Sequence, residues 1–294
     1  MNLDKSTTLK HPMRLENYDK KLYLPHYGFQ RIGTPQMIQS TGRIGRKTID
    51  FFNRILDLFA FSYRILSLLF IRPKVGRALV QRVIIEQIYF TAVQALPILI
   101  PTALFIGSIQ IIQWTKLSGQ VDLEKTIVFL TIREVGPLIT AFLVILRSAT
   151  AVTVEISYMN VLHEMDAIEM AGIDPFRIVC LPRLIGITSA ILSLFVVFDI
   201  VSILGGYTVL WGTTHIPLGN FLSQIAKAVS ATDIWIGFLK AICFGFLITV
   251  ISLYHGFRTQ KQITRIPMAT SRASVECFLS CLIIDIFISV LFYW

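Results

Sequence analysis

Five long stretches of this chain carry almost no charge, and they decide what it can become. Residues 87–115 have no charged side chain at all, while 135–154, 184–211, 234–257 and 277–294 carry only Arg147, Asp199, Lys240 and Asp285 in turn. A helix crossing a bilayer needs about 20 mainly apolar residues. No water is present in that layer to satisfy a free backbone, so helices or closed barrels are the available spanning structures. The runs are helix-length, which predicts an all-α integral membrane protein with spans at about 90–114, 135–154, 184–211, 234–256 and 276–293. Composition agrees: 54% of the chain is apolar and 15% charged, against about 25% charged in soluble domains.

Before the first run lie two different segments. Residues 1–46 hold eight Lys or Arg and three Asp or Glu with no sustained period, and are expected to form a basic, mostly irregular arm. Residues 48–71 place Asp50, Asn53, Arg54, Asp57, Arg64 and Ser67 about one helical turn apart in a background of Phe, Leu and Ile. That pattern predicts an amphipathic helix lying in the membrane interface. No apolar stretch with a small-residue cleavage site precedes it, so no secretory signal is expected. Residues 47–294 are then one membrane domain.

Orientation follows from Lys and Arg outside the spans. With the N-terminus in the cytoplasm, 21 of them fall on the cytoplasmic side and 4 outside, namely Lys116, Lys125, Arg133 and Lys227. The net charge of +9 suits a rim beside anionic lipid, not a nucleic-acid surface. The C-terminus is expected outside.

One cytoplasmic loop departs from the basic trend. Residues 155–176 contain Glu155, Glu164, Asp166, Glu169 and Asp174, with Met159, Leu162 and Met165 three residues apart. A short amphipathic helix at about 157–171 is expected, ended by Gly172 in a left-handed cap. Asp174 and Pro175 can start the next helix. Such a helix is either a docking surface for a partner or an ordinary solvated loop helix.

Chemistry of the catalytic kind is not expected. The nearest look-alike to a phosphate-binding loop, Gly42 to Thr48, has the wrong spacing and Arg46 in place of Lys. His11, His26, His163, His215 and His255 are scattered, and Cys180, Cys243, Cys277 and Cys281 form no metal-ligand pattern. The expected catalytic and metal residues are none, and the chain is expected to hold no cofactor of its own. Charges inside spans are costly and mark function or interhelical pairing. Arg147, Asp199, Lys240 and Asp285 qualify, and Arg133 and Glu134 stand at the outer start of the second span.

The stretch from Arg133 to Arg183 resembles the signature region of the MlaE/YrbE family of ABC transporter permeases. The likeness runs through Arg133-Glu134-Val135-Gly136-Pro137, Arg147-Ser148, Glu155-Ile156, Met159, Glu164, Asp166-Ala167, Glu169-Met170, Gly172-Ile173-Asp174-Pro175 and Leu181-Pro182-Arg183. It continues in Ile251-Ser252-Leu253-Tyr254, Gly256 and the run around Asp285. Two departures are Leu146, where that family commonly has Gly, and the glycine-free run Arg147-Ser148-Ala149-Thr150-Ala151.

The resemblance implies a homodimeric permease subunit with an interfacial helix, five spans and a cytoplasmic coupling helix. It implies two copies of a cytoplasmic ATPase that holds the ATP and Mg, a periplasmic lipid-binding MCE-domain protein and a small STAS-domain regulator. The implied substrate is phospholipid, and the implied place is the inner membrane of a Gram-negative-type cell or an organellar inner envelope. Arg133 and Glu134 would contact lipid, and Glu164, Met165, Asp166 and Glu169 would couple to the ATPase. Two other readings stay open on the residues alone: an ion-coupled secondary transporter using Asp199, Lys240 and Asp285, and a membrane scaffold that transports nothing.

Overall fold

The computed structural model describes residues 52–53, 55–67, 77–116, 129–214, 217–259 and 262–293. The chain divides into the units Met1–Asn53 and Arg54–Trp294, and the second carries everything below. The expected basic arm and Trp294 lie outside the described residues.

Every regular element among the described residues is helical. Five helical runs are long and apolar enough to cross a membrane: Val80–Gln110, Thr131–Val161, Phe176–Gly212, Ala231–Phe257 and Ile263–Phe292. They are called here the first to fifth spans. Most begin earlier or end later than the uncharged runs suggest, because flanking charges are compensated. Arg82 and Glu86 pair across one turn at 3.1 Å within the helix Arg77–Thr91. Glu155 and Arg183 pair at 2.6 Å, joining the end of the second span to the start of the third. Glu276 meets His255 at 2.7 Å, and the fifth helix begins at Ile266. Residues 258–276 are therefore largely helix instead of the loop expected from their charge.

Proline shapes the first span. Pro97 has no N–H to give the preceding turn. The helix breaks at Ala92, passes through a 3-10 turn at Val93–Ala95 and restarts at Leu96. Three other interruptions are π-helical turns, at Phe129–Val135, Ile145–Ala149 and Phe176–Cys180. Such turns widen a helix by one residue and re-aim its side chains.

The third span is central. It packs on the first, second and fourth, while the fifth packs on the fourth and second. Its buried Ile187, Ile191, Leu194, Phe195 and Phe198 share one apolar core with Phe244, Ile248 and Ile251 of the fourth. With lipid tails as apolar as leucine, close backbone approach has to hold such helices together. Gly107 and Gly205 supply it between the first and third spans. A Cβ on Gly107 would stand 1.9 Å from the Ser202 carbonyl oxygen, and one on Gly205 would stand 2.7 Å from that of Leu104.

At the other end of the bundle, residues 55–67 form a helix. Ile65 is fully buried. The Phe61 ring packs edge-on against Phe176 and Tyr254, each at 5.8 Å, and the Arg64 guanidinium lies 4.0 Å from the Phe176 ring centre. The loop helix differs from expectation. Residues 157–161 are the last turn of the second span, and a separate helix occupies Glu164–Met170. His163, at φ 60°, breaks the run between them, and Gly172 takes φ 76° as a left-handed cap. A further helix, Leu218–Ala228, fills the segment between the third and fourth spans.

Substituting Gly107 by Ala is expected to cost about 1–3 kcal/mol by forcing the first and third spans apart. Gly212→Ala meets nothing within 4 Å and serves as the control. Thermal unfolding in detergent should separate the two variants, and equal midpoints would contradict this packing.

Candidate functional site

Where the second span starts, the fourth starts and the fifth ends, five ionisable side chains meet. Lys240 lies in the third turn of the fourth span and is completely buried. Its ammonium donates to Glu134 Oε2 at 2.8 Å and Ser289 Oγ at 2.7 Å, and pairs with Asp285 Oδ1 at 2.9 Å. Glu134 and Ser289 take two of the three protons an ammonium offers, and Asp285 adds an ion pair whose Oδ1 makes no hydrogen bond among the described residues. Ser289 Oγ also lies 3.0 Å from Glu134 Oε1, tying the carboxylate to the fifth span. Asp285 and Ser289 are one helical turn apart, so both face Lys240.

Arg133 adjoins this group. Its Nη1 reaches Asp233 Oδ1 at 3.5 Å, and its Nη2 donates to the Phe292 carbonyl at 3.3 Å. Asp233 is itself fixed, because its other oxygen accepts the Ser230 N–H at the start of the fourth span. The Arg133 side chain is buried among the three span ends, not stretched along a helix end toward the interface. Both Arg133 and Glu134 belong to the π-helical turn Phe129–Val135. The two consecutive residues serve different partners, Asp233 for one and Lys240 for the other. Glu134 is engaged by Lys240 and by Ser289.

The formal charges of Arg133, Glu134, Asp233, Lys240 and Asp285 sum to one negative. Desolvating such a group costs several kcal/mol per ion, which good geometry only offsets. A buried charge cluster is therefore weak as a stabilising device and is worth reading as a site.

The other intramembrane charges stand apart from it. Asp199 is buried on the third span, and Gly136 leaves it room: a Cβ there would be 2.2 Å from Asp199 Oδ1. That oxygen and the Ser202 hydroxyl have no hydrogen-bond partner among the described residues. Arg147 sits in the second π-helical turn and donates to the Phe90 carbonyl at 2.8 Å and to Gln94 Oε1 at 2.6 Å. It thus clamps the break in the first span.

On the loop helix, Glu164, Asp166 and Glu169 are exposed. Asp166 meets His163 Nδ1 at 2.6 Å. Met165 is turned inward and buried, so it anchors the helix, while Met170 stands 82% exposed. All four cysteines are free, with Cys180, Cys277 and Cys281 buried. Reading the sequence missed Asp233, Ser289 and Gln94. The Ser230–Asp233 spacing of a capping box and the one-turn spacing of Ser289 from Asp285 were the available signals.

Comparison with known proteins places the chain among membrane permeases. The profile described as Permease MlaE matches residues 84–291. A Haemophilus influenzae protein named intermembrane phospholipid transport system permease protein MlaE is 28% identical over 255 residues, covering 85% of this chain and 96% of the relative. A probable ABC transporter permease protein of Rickettsia felis is 27% identical over 263 residues, covering 87% and 99%. One from Synechocystis is 26% identical over 221 residues, covering 71% and 81%.

Replacing Lys240 by Met strands Glu134 and Asp285 without their cation and is expected to destabilise the protein by about 3 kcal/mol or more. The triple variant Glu134→Gln, Lys240→Met, Asp285→Asn removes all three charges and should recover much of that loss. Thermal melts of both in one detergent test this. A triple variant no more stable than the single one would contradict the pairing.

Proposed function

The chain belongs to the MlaE permease family, and from that premise we propose that it is the membrane-spanning permease of an ABC transporter that moves phospholipid. The observation that carries the reading is the cluster of Arg133, Glu134, Asp233, Lys240 and Asp285 where three spans meet. A zwitterionic lipid head has a phosphate and a cation. The guanidinium of Arg133 suits the phosphate through paired charge-assisted hydrogen bonds, and the surplus carboxylate suits the cation. Pairing among themselves keeps these groups affordable in the apolar layer until a head group arrives to exchange partners with them.

In this reading the N-terminus is cytoplasmic, the C-terminus is periplasmic, and the helix around residues 48–71 lies in the interface of the inner membrane. Two permease copies work with two copies of a cytoplasmic ATPase, which supplies ATP and Mg chemistry. An MCE-domain protein on the periplasmic side exchanges lipid with the cluster, and a small STAS-domain protein regulates the complex. The loop helix Glu164–Met170 is the coupling element. Its exposed Glu164, Asp166 and Glu169 form the contact, and the buried Met165 ties the helix to the span ends.

Reconstitution with the ATPase in liposomes carrying labelled phospholipid tests the whole reading. ATP should drive lipid transfer, and dependence on an ion gradient instead would support the secondary-transporter alternative. Arg133→Lys keeps the charge but loses the paired geometry, so transfer and co-purified lipid should fall by about tenfold. Unchanged transfer would reduce Arg133 to a structural role. Reversing the charge of Glu164, Asp166 and Glu169 together should weaken co-purification of the ATPase at normal permease yield. An undiminished complex would remove those residues from the coupling surface.

A further inference from the structure

A second charged site lies at the opposite end of the fourth and fifth spans. Tyr254, His255 and Arg258 at the end of the fourth and Arg265, Ala269 and Arg272 at the start of the fifth line a cavity of about 230 Å³. From these residues we infer that the cavity takes a phosphate group carried by an anionic lipid head.

The cavity has donors to spare. His255 is engaged with Glu276 at 2.7 Å, and Arg258 with Asp57 at 3.3 Å and with the Tyr254 hydroxyl. The side chains of Arg265 and Arg272 make no ion pair or hydrogen bond with any described residue. Three guanidiniums stand against the carboxylates of Asp57 and Glu276, which leaves a positive surplus even with His255 neutral. Arg265 closes the 3-10 turn Ile263–Arg265, and Arg272 lies seven residues on in the fifth helix, about 10 Å along the axis, with both lining the cavity. Their long side chains can converge on one group between them, and Ala269 leaves the space for it.

Position favours lipid as the carrier. The fifth helix, Ile266–Tyr293, has 28 residues, about 42 Å at 1.5 Å per residue, longer than the roughly 30 Å hydrocarbon layer. Its first turns therefore reach the head-group level. Ile263 and Met268, beside the arginines, are 56% and 46% exposed. A cationic cavity edged by bare apolar side chains has the two-part character of a lipid rather than of a soluble ion. Basic pockets between spanning helices hold anionic head groups in this way. The site stands independently of the transport reading; only its assignment to the cytoplasmic leaflet rests on the proposed orientation.

Purified full-length protein in detergent, titrated with phosphatidylglycerol, phosphatidylcholine or inorganic phosphate, tests the inference by native mass spectrometry and thermal shift. Wild type should retain phosphatidylglycerol about tenfold better than phosphatidylcholine. Arg265→Gln with Arg272→Gln should erase that preference, and Arg265→Lys with Arg272→Lys should keep part of it and guard against a folding defect. Lys227→Gln, on the helix Leu218–Ala228 at the other end of the fourth span, should leave it intact. A preference that survives the double Gln variant, or that disappears in Lys227→Gln, overturns the site. Stabilisation by millimolar inorganic phosphate without any phosphatidylglycerol preference overturns the lipid as its source.

Discussion

A fully buried ammonium in a helix long enough to span a bilayer has to be paired with opposite charge and hydrogen-bond acceptors, because water is not at hand to solvate it. Lys240 meets that demand with hydrogen bonds to a carboxylate and a hydroxyl and an ion pair to a second carboxylate, drawn from two other spans. Three helices are thereby fixed in register at one end, since a slip of one residue in any of them would turn an acceptor away. The need to satisfy one cation orders the ends of the second, fourth and fifth spans more tightly than apolar packing could, because lipid competes equally for apolar surface.

Backbone irregularity accompanies this arrangement. Arg133 and Glu134 follow one another in a π-helical turn and go to separate partners, Asp233 and Lys240. Gly136 follows at once, and its bare Cα admits the Asp199 carboxylate from the third span. At Arg147 the same device recurs: a π-helical turn aims the guanidinium at the Phe90 carbonyl beside the proline-bearing break in the first span. Arg133, Glu134 and Arg147 thus sit in distorted backbone, while Asp199, Lys240 and Asp285 sit in regular helix.

Much of this architecture was legible in the residues. The five uncharged runs indicate five spanning helices, because length and apolarity alone determine which segments a bilayer admits. Gly172 announced its left-handed turn through the residues around it. Span ends were misjudged where a charged side chain meets a partner on another helix, as with Glu155 and Arg183 or Glu276 and His255; a single sequence does not display such pairs. The loop helix came out shorter than its periodicity suggested, because His163 breaks a pattern that Met159, Leu162 and Met165 otherwise continue. Lys240 and Asp285 could be singled out as costly, but their partnership with Glu134 depends on how three helices are rotated, and hydropathy does not record rotation.

The arrangement also limits how the two ends of the protein can communicate. The second span runs from Thr131 to Val161, about 46 Å at helical rise. One of its ends carries the Arg133–Glu134 turn, and the other stops just before the Glu164–Met170 helix. A force applied at the loop helix reaches the charge cluster along this span or along the fourth span packed beside it. Rigid helices transmit displacement with little loss, while the π-helical turn at Ile145–Ala149 offers a place where the second span can alter its pitch. Arg147 holds that turn to the interrupted first span. Bending at this turn therefore requires the Phe90 and Gln94 contacts to give way, and so couples any change of pitch in the second span to the break in the first.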